Sequence, residues 1–188
     1  MQLIDRAKSI LLQPRSTWRE IDAEFTKPGE IWGKYIMPLA AIGPICGTIS
    51  MLIFGQRIAF TSLTNPVPVS TAITRGVAAY VLALVSVFII MQIISLLAPN
   101  FGGQKNDVQA LKAAAYSSTA AWIGGVFALI PALALVSLLF ALYSLYLLYV
   151  GLPIVMKVPQ DRAMGYTAVV IIVTIVVFLI VGALITAF

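Results

Sequence analysis

Between Lys112 and Lys157 the chain reads AAAYSSTAAWIGGVFALIPALALVSLLFALYSLYLLYVGLPIVM (Ala113 to Met156), 44 residues without a charged side chain. A membrane-spanning helix takes about 20 mostly apolar residues, each advancing it by about 1.5 Å. The stretch is therefore too long for one helix and long enough for two, with Pro131 near its middle where a tight hairpin can turn. Three further charge-free intervals flank it, 35–56, 76–104 and 163–188. Together they predict an all-α fold, a polytopic bundle of five transmembrane helices at about 35–56, 73–98, 111–130, 132–152 and 164–187. The segment 58–74, with Asn65, Pro66 and Pro68, reads as an external loop. Two parts result, a lead segment over 1–34 and a transmembrane domain over 35–188.

Composition agrees with a membrane solvent. Of the 188 residues 61% are hydrophobic and 10% charged, and the mean hydropathy is +1.01. A water-soluble domain carries about 25% charged residues. Eleven of the nineteen charges fall within residues 1–34. With five spans the two termini lie on opposite sides, and loop Lys and Arg choose between the two orientations. Placing the N-terminus in the cytoplasm puts ten of the twelve basic residues inside and leaves only Arg57 and Arg75 outside. The net charge of +5 is then an orientation signal and not a nucleic-acid signature. Asp5, Arg6 and Lys8 interrupt the place where a signal peptide would carry its apolar core.

The lead segment patterns as one or two short amphipathic helices in the membrane interface. Leu3, Ile4, Ala7, Ile10 and Leu11 share one arc, with Arg6 and Lys8 on its flanks. Pro14 then ends that helix, and Thr17 with Glu20 forms a capping box for the next. Trp18, Ile21 and Phe25 make an apolar stripe that serves as an interfacial anchor, and Pro28-Gly29 closes the segment. It either packs on the cytoplasmic end of the bundle or serves as a docking site.

Catalytic chemistry has little to work with. Histidine is absent and Cys46 is the single cysteine, which excludes a His-based triad, a zinc site of the usual ligand set and a disulfide framework. No ionisable residue lies well inside a predicted span, against the usual pattern of proton relays and ion paths. No cofactor motif is present, and the chain does not read as an enzyme. Uncharged polar residues do gather, within roughly 5–10 Å of the inner boundary by the helical rise. Gln92, Ser117, Ser118, Thr119, Tyr143, Tyr146 and Tyr166 make a candidate cytoplasm-facing polar cluster, read either as a shallow vestibule or as helix-helix contacts with an aromatic belt. Lys157, Asp161 and Arg162 crowd the loop between the last two helices, a candidate lipid or partner site. Small residues recur at Ala113, Ser117, Ala121 and Gly125, and Gly43 with Gly47 makes a GxxxG, both marks of close helix packing.

The run LYSLYLLYVGLPIVMKVPQDRAMGYT (Leu142 to Thr167) resembles the bacterial branch of the Yip family, named for eukaryotic members that interact with Ypt/Rab GTPases. FGGQKNDVQALKAAAYSSTAAWIGG (Phe101 to Gly125), IMPLAAIG (Ile36 to Gly43) and the N-terminal LLQPRSTW extend the resemblance over nearly the whole chain. It implies five membrane helices and a cytoplasmic N-terminus. Eukaryotic members also carry a longer hydrophilic N-terminal region and a DLYGP motif; this chain has neither, and Gly165-Tyr166 is the trace of the family's GY element. The reading that follows is a non-enzymatic scaffold or interaction module at the cytoplasmic face of a bacterial inner membrane. Its partners would be membrane lipids, a protein at that face and a second copy of the chain, with no nucleic acid and no cofactor. The alternative is a small channel, transporter or lipid-handling protein that uses the polar cluster.

Overall fold

The computed structural model describes residues 3–57 and 64–187; the greater part of the predicted external loop lies outside them. Two short helices come first, α1 (Leu3–Leu12) and α2 (Pro14–Ala23). Helix α1 ends at Leu12, just ahead of Pro14 as expected, whereas α2 already ends at Ala23, so the closure expected at Pro28 is corrected; both prolines also begin a helix. Each occupies the first turn of the helix that follows it, where its missing N–H is no loss and its fixed φ suits the helix. Thr17 consequently lies inside α2, its hydroxyl donating to Gln13 O at 2.8 Å.

The first long helix, α3, runs from Pro28 to Phe54, so helical structure starts ahead of the predicted boundary at 35. It winds as a wider π-turn over Trp32–Ile36 and breaks at Ala41. Pro38 and Pro44 account for both, because a proline ring clashes with the carbonyl four residues before it and cannot donate to it. The Thr48 hydroxyl bonds back to Pro44 O at 2.8 Å. Beyond α3, Gly55 has a positive φ of 71°. A Cβ there would stand 2.4 Å from Asn65 O, on the short antiparallel pair β1 (Gln56–Arg57) and β2 (Thr64–Asn65).

Next come α4 (Val69–Leu97), which tightens into a 3-10 turn over Ala98–Phe101, α5 (Asp107–Ser117) and α6 (Thr119–Gly124). Two 3-10 turns flank an extended Ile130, and the hairpin expected at Pro131 forms there before α7 (Ala134–Val155) and α8 (Gln160–Ala187). Four helical runs are long and apolar enough to cross a membrane, Pro28–Phe54, Val69–Phe101, Pro131–Val155 and Gln160–Ile185. The protein is thus a multi-pass helical membrane protein. The predicted span 111–130 is not one helix; it is divided among α5, α6 and the 3-10 turn Gly125–Leu129.

That divided run is the interior of the molecule. Every residue from Ala110 to Ala120 is buried, with α5 packed on α4 and α7, α6 on α7, and the 3-10 turn on α3. The break falls on Ser117-Ser118-Thr119, whose hydroxyls bond back to carbonyls of the preceding turn. Ser117 and Ser118 donate to Ala114 O at 3.2 and 2.8 Å, and Thr119 donates to Tyr116 O at 2.8 Å. Such bonds offer the backbone an alternative to its ladder. The Ala121 N–H donates to Ser144 Oγ on α7 at 2.8 Å. Of the small-residue stripes, Gly43 and Gly125 meet: a Cβ on Gly125 would come within 2.7 Å of Gly43 Cα.

Candidate interaction surface

One end of the bundle carries the Ala98–Phe101 turn, the turn after α7 and the docked pair α1 and α2. Gln104 N–H donates to Met156 O at 3.0 Å and holds the two turns together. Helix α2 lies across α7 with Trp18 and Ile21 wholly inside. The indole of Trp18 sits over Gly151, where even a Cβ would stand 2.1 Å from it. Gly151 is therefore the notch into which the N-terminal segment locks.

The C-terminal end of α2 is held by side chains of α5. The buried Lys112 ammonium donates to the carbonyls of Ile21, at 2.8 Å, and Glu24. Gln109 Nε2 donates to Asp22 O at 3.1 Å. A helix leaves its last carbonyls without partners and gathers negative potential there, so a buried cation is well placed. Lys157 adds an ion pair to the Asp22 carboxylate.

Arg6 on α1 is the second fastening. It is buried, pairs with Glu24, and reaches Glu20 at 3.8 Å. Its guanidinium carbon lies 5.8 Å from the centroid of Tyr116, a cation–π distance. Tyr116 in turn packs edge-on against Tyr35 at 4.7 Å and Trp18 at 6.4 Å. The Tyr35 and Thr119 hydroxyls hydrogen bond at 2.7 Å. Of the expected arc on α1, Ala7 and Ile10 are buried beside Arg6 and Leu3 and Leu11 are half-buried, while Ile4 is exposed, as is Leu12 outside the arc.

The residues of the expected polar cluster go to separate partners. Thr119 joins Tyr35; Ser117 and Ser118 bond within their own helix; Tyr143 OH donates to Leu11 O at 2.7 Å, and Tyr166 OH to Ile94 O at 2.6 Å. Tyr146 is exposed beside Tyr143, ring centroids 5.5 Å apart, and Gln92 is half-buried. An apolar cavity of about 380 Å³ opens between α3, α4 and α8, and of this set only Ser118 lines it. The charged loop also divides. Lys157 turns to Asp22 on α2, whereas Arg162 and Asp161 stay exposed with Nε and Oδ2 3.8 Å apart. Phe25 follows the end of α2 and is 93% exposed, unlike Trp18 and Ile21.

Sequence reasoning missed Arg6, Tyr35, Lys112 and Tyr116 as site residues. Arg6 and Lys112 look like orientation charges, and Tyr35 and Tyr116 like belt residues, until the lead folds over them. The available signal was the carboxylate set Glu20 and Asp22 on α2 with Glu24 just after it, which needs cations opposite it. Among the described residues no group of three or more His, Cys, Asp and Glu could hold a metal ion.

Neither the curated proteins nor the solved structures hold a match to the chain. The model of the Yip1 domain does match, over residues 8–181. It therefore covers the second half of α1, all of α2 and the long helices as far as residue 181 of α8, and the chain belongs to the Yip1 domain family.

Proposed function

We propose that this protein is a non-enzymatic scaffold or interaction module of the Yip type, working at the cytoplasmic face of a bacterial inner membrane. In this reading the chain crosses the bilayer five times, the broken run 107–129 making the third crossing, with the N-terminus inside and the C-terminus outside. The ten-to-two division of basic residues supports that orientation. The observation that carries the interaction role is the docked N-terminal segment. Its inner side is fastened by Trp18, Arg6 and Lys112, while Ile4, Leu12 and Phe25 stand 73%, 68% and 93% exposed on its outer side. Apolar side chains held outward on a rigid base suit contact with a protein partner, a second copy or the headgroup layer. The transport alternative draws less support, because Ser117, Ser118, Thr119, Tyr143 and Tyr166, expected to line a vestibule, donate to backbone carbonyls.

Photo-crosslinking residues at Leu12 and Phe25, with Leu179 on α8 as a lipid-facing control, test the reading. The expected result is one discrete protein adduct shared by the first two positions and absent from the third. Lipid adducts alone at all three positions would contradict it. Solute flux through proteoliposomes of the purified protein would favour the transport alternative instead.

A further inference from the structure

Helix α2 and the facing parts of α7 and α8 enclose a groove of about 430 Å³, within the usual size range for a small-ligand site. Its α2 wall carries Arg15 and Arg19, both exposed, and no acidic residue lines it. Among the described residues neither arginine lies within 4.0 Å of a carboxylate, whereas Arg6 and Lys157 both do. The opposite wall mixes apolar Val150, Pro153, Ile154, Ala163 and the largely exposed Met164 with Tyr149 and Gln160. Thr167 closes the inner end, 1% exposed, and its buried hydroxyl has no hydrogen-bond partner among the described residues. A buried polar atom left without a partner is costly, so a resident acceptor or donor is the expected companion.

We propose that this groove is a binding site for the headgroup of an anionic phospholipid. Arg15 and Arg19 take the phosphate, as planar guanidinium groups do through paired N–H donors. Thr167 hydrogen bonds to a polar group of the glycerol–headgroup region that enters the groove. The apolar part of the opposite wall, Val150, Pro153, Ile154, Ala163 and Met164, receives the start of the acyl chains. A lipid is favoured over free phosphate because the cations and this apolar wall share one groove at the end of a membrane helix. Charge selects the lipid class, since two cations with no acid in the lining suit a net anion and not a zwitterion. The inference goes beyond the scaffold reading and does not depend on any protein partner.

Native mass spectrometry of the full chain in detergent, titrated with phosphatidylglycerol, phosphatidylcholine or inorganic phosphate, tests it. The wild-type protein is expected to bind phosphatidylglycerol in preference to phosphatidylcholine, with no inorganic phosphate adduct at equal concentration. Arg15→Ser with Arg19→Ser should weaken phosphatidylglycerol binding by at least about tenfold, the equivalent of one charge-assisted bond. Lys8→Ser with Lys105→Ser removes the same charge elsewhere and should leave it unchanged. Thr167→Val should weaken binding by a few-fold while leaving the melting temperature unchanged or higher, which a packing role for the hydroxyl would not produce. Equal binding of the two lipids, equal losses in the two double variants, or comparable binding of inorganic phosphate would each overturn the proposal.

Discussion

At Gly151 the absence of a side chain decides whether the N-terminal segment can lie down on the bundle. Gly151→Ala places a methyl group 2.1 Å from the Trp18 indole, and the overlap must be relieved by moving α2. The expected loss is about 1–3 kcal/mol, typical of overpacking, measurable as a lowered melting temperature in detergent. Lys112→Met keeps the apolar stem but deprives the Ile21 and Glu24 carbonyls of their donor. It is expected to destabilise the docked segment by about 1–3 kcal/mol and to speed tryptic cleavage at Arg15, Arg19 and Lys27. Unchanged cleavage would show that the carbonyls do not depend on the ammonium. Arg6 differs from the usual surface cation, whose ion pair contributes about 0–1 kcal/mol, because it is itself buried among Glu24, Glu20 and Tyr116.

At the scale of elements, the divided third run shows how a helix interruption is made tolerable inside an apolar bundle. Ser144 on α7 receives the Ala121 N–H, so the two elements are joined where the ladder is broken. Ser144→Ala leaves that donor buried and unpartnered and is expected to cost about 1–3 kcal/mol, whereas Ser137→Ala leaves Gly124 O with its ladder options and should cost less. Chemical denaturation of the two variants in the same detergent checks the order. The long helices were legible in the sequence because charges cannot enter the bilayer cheaply, so charge-free intervals delimit apolar helices. The break at Ser117-Ser118-Thr119 was not legible as a break, because hydroxyls that pair across helices and hydroxyls that bond back to their own turn look alike in a sequence. The starts of the helices after Pro14 and Pro28 were misread for a related reason: a proline that follows one helix can also open the next, and only the following register tells. Trp18 and Ile21 stood out as an apolar stripe, yet the partner of that stripe is α7 and its Gly151 notch rather than lipid.

At the scale of the whole molecule, the bundle has two unlike ends. One holds the docked segment, the carboxylates of α2 and the cations that answer them; the other holds the short β pair and the end of α8. In the proposed orientation the first end faces the cytoplasm. A C-terminal alkaline phosphatase fusion is therefore expected to be active and the equivalent green fluorescent fusion dark; the reverse pattern would contradict five crossings. Whether the N-terminal segment is an integral layer of the protein or a free amphipathic helix is the central question, and backbone hydrogen exchange of the full chain in nanodiscs answers it most directly. The amides of residues 17–23 are expected to exchange as slowly as those of α5, and Lys112→Met is expected to quicken them without changing α8. Rapid exchange of residues 17–23 in the wild-type protein, at the rate of an undocked helix, would contradict the account.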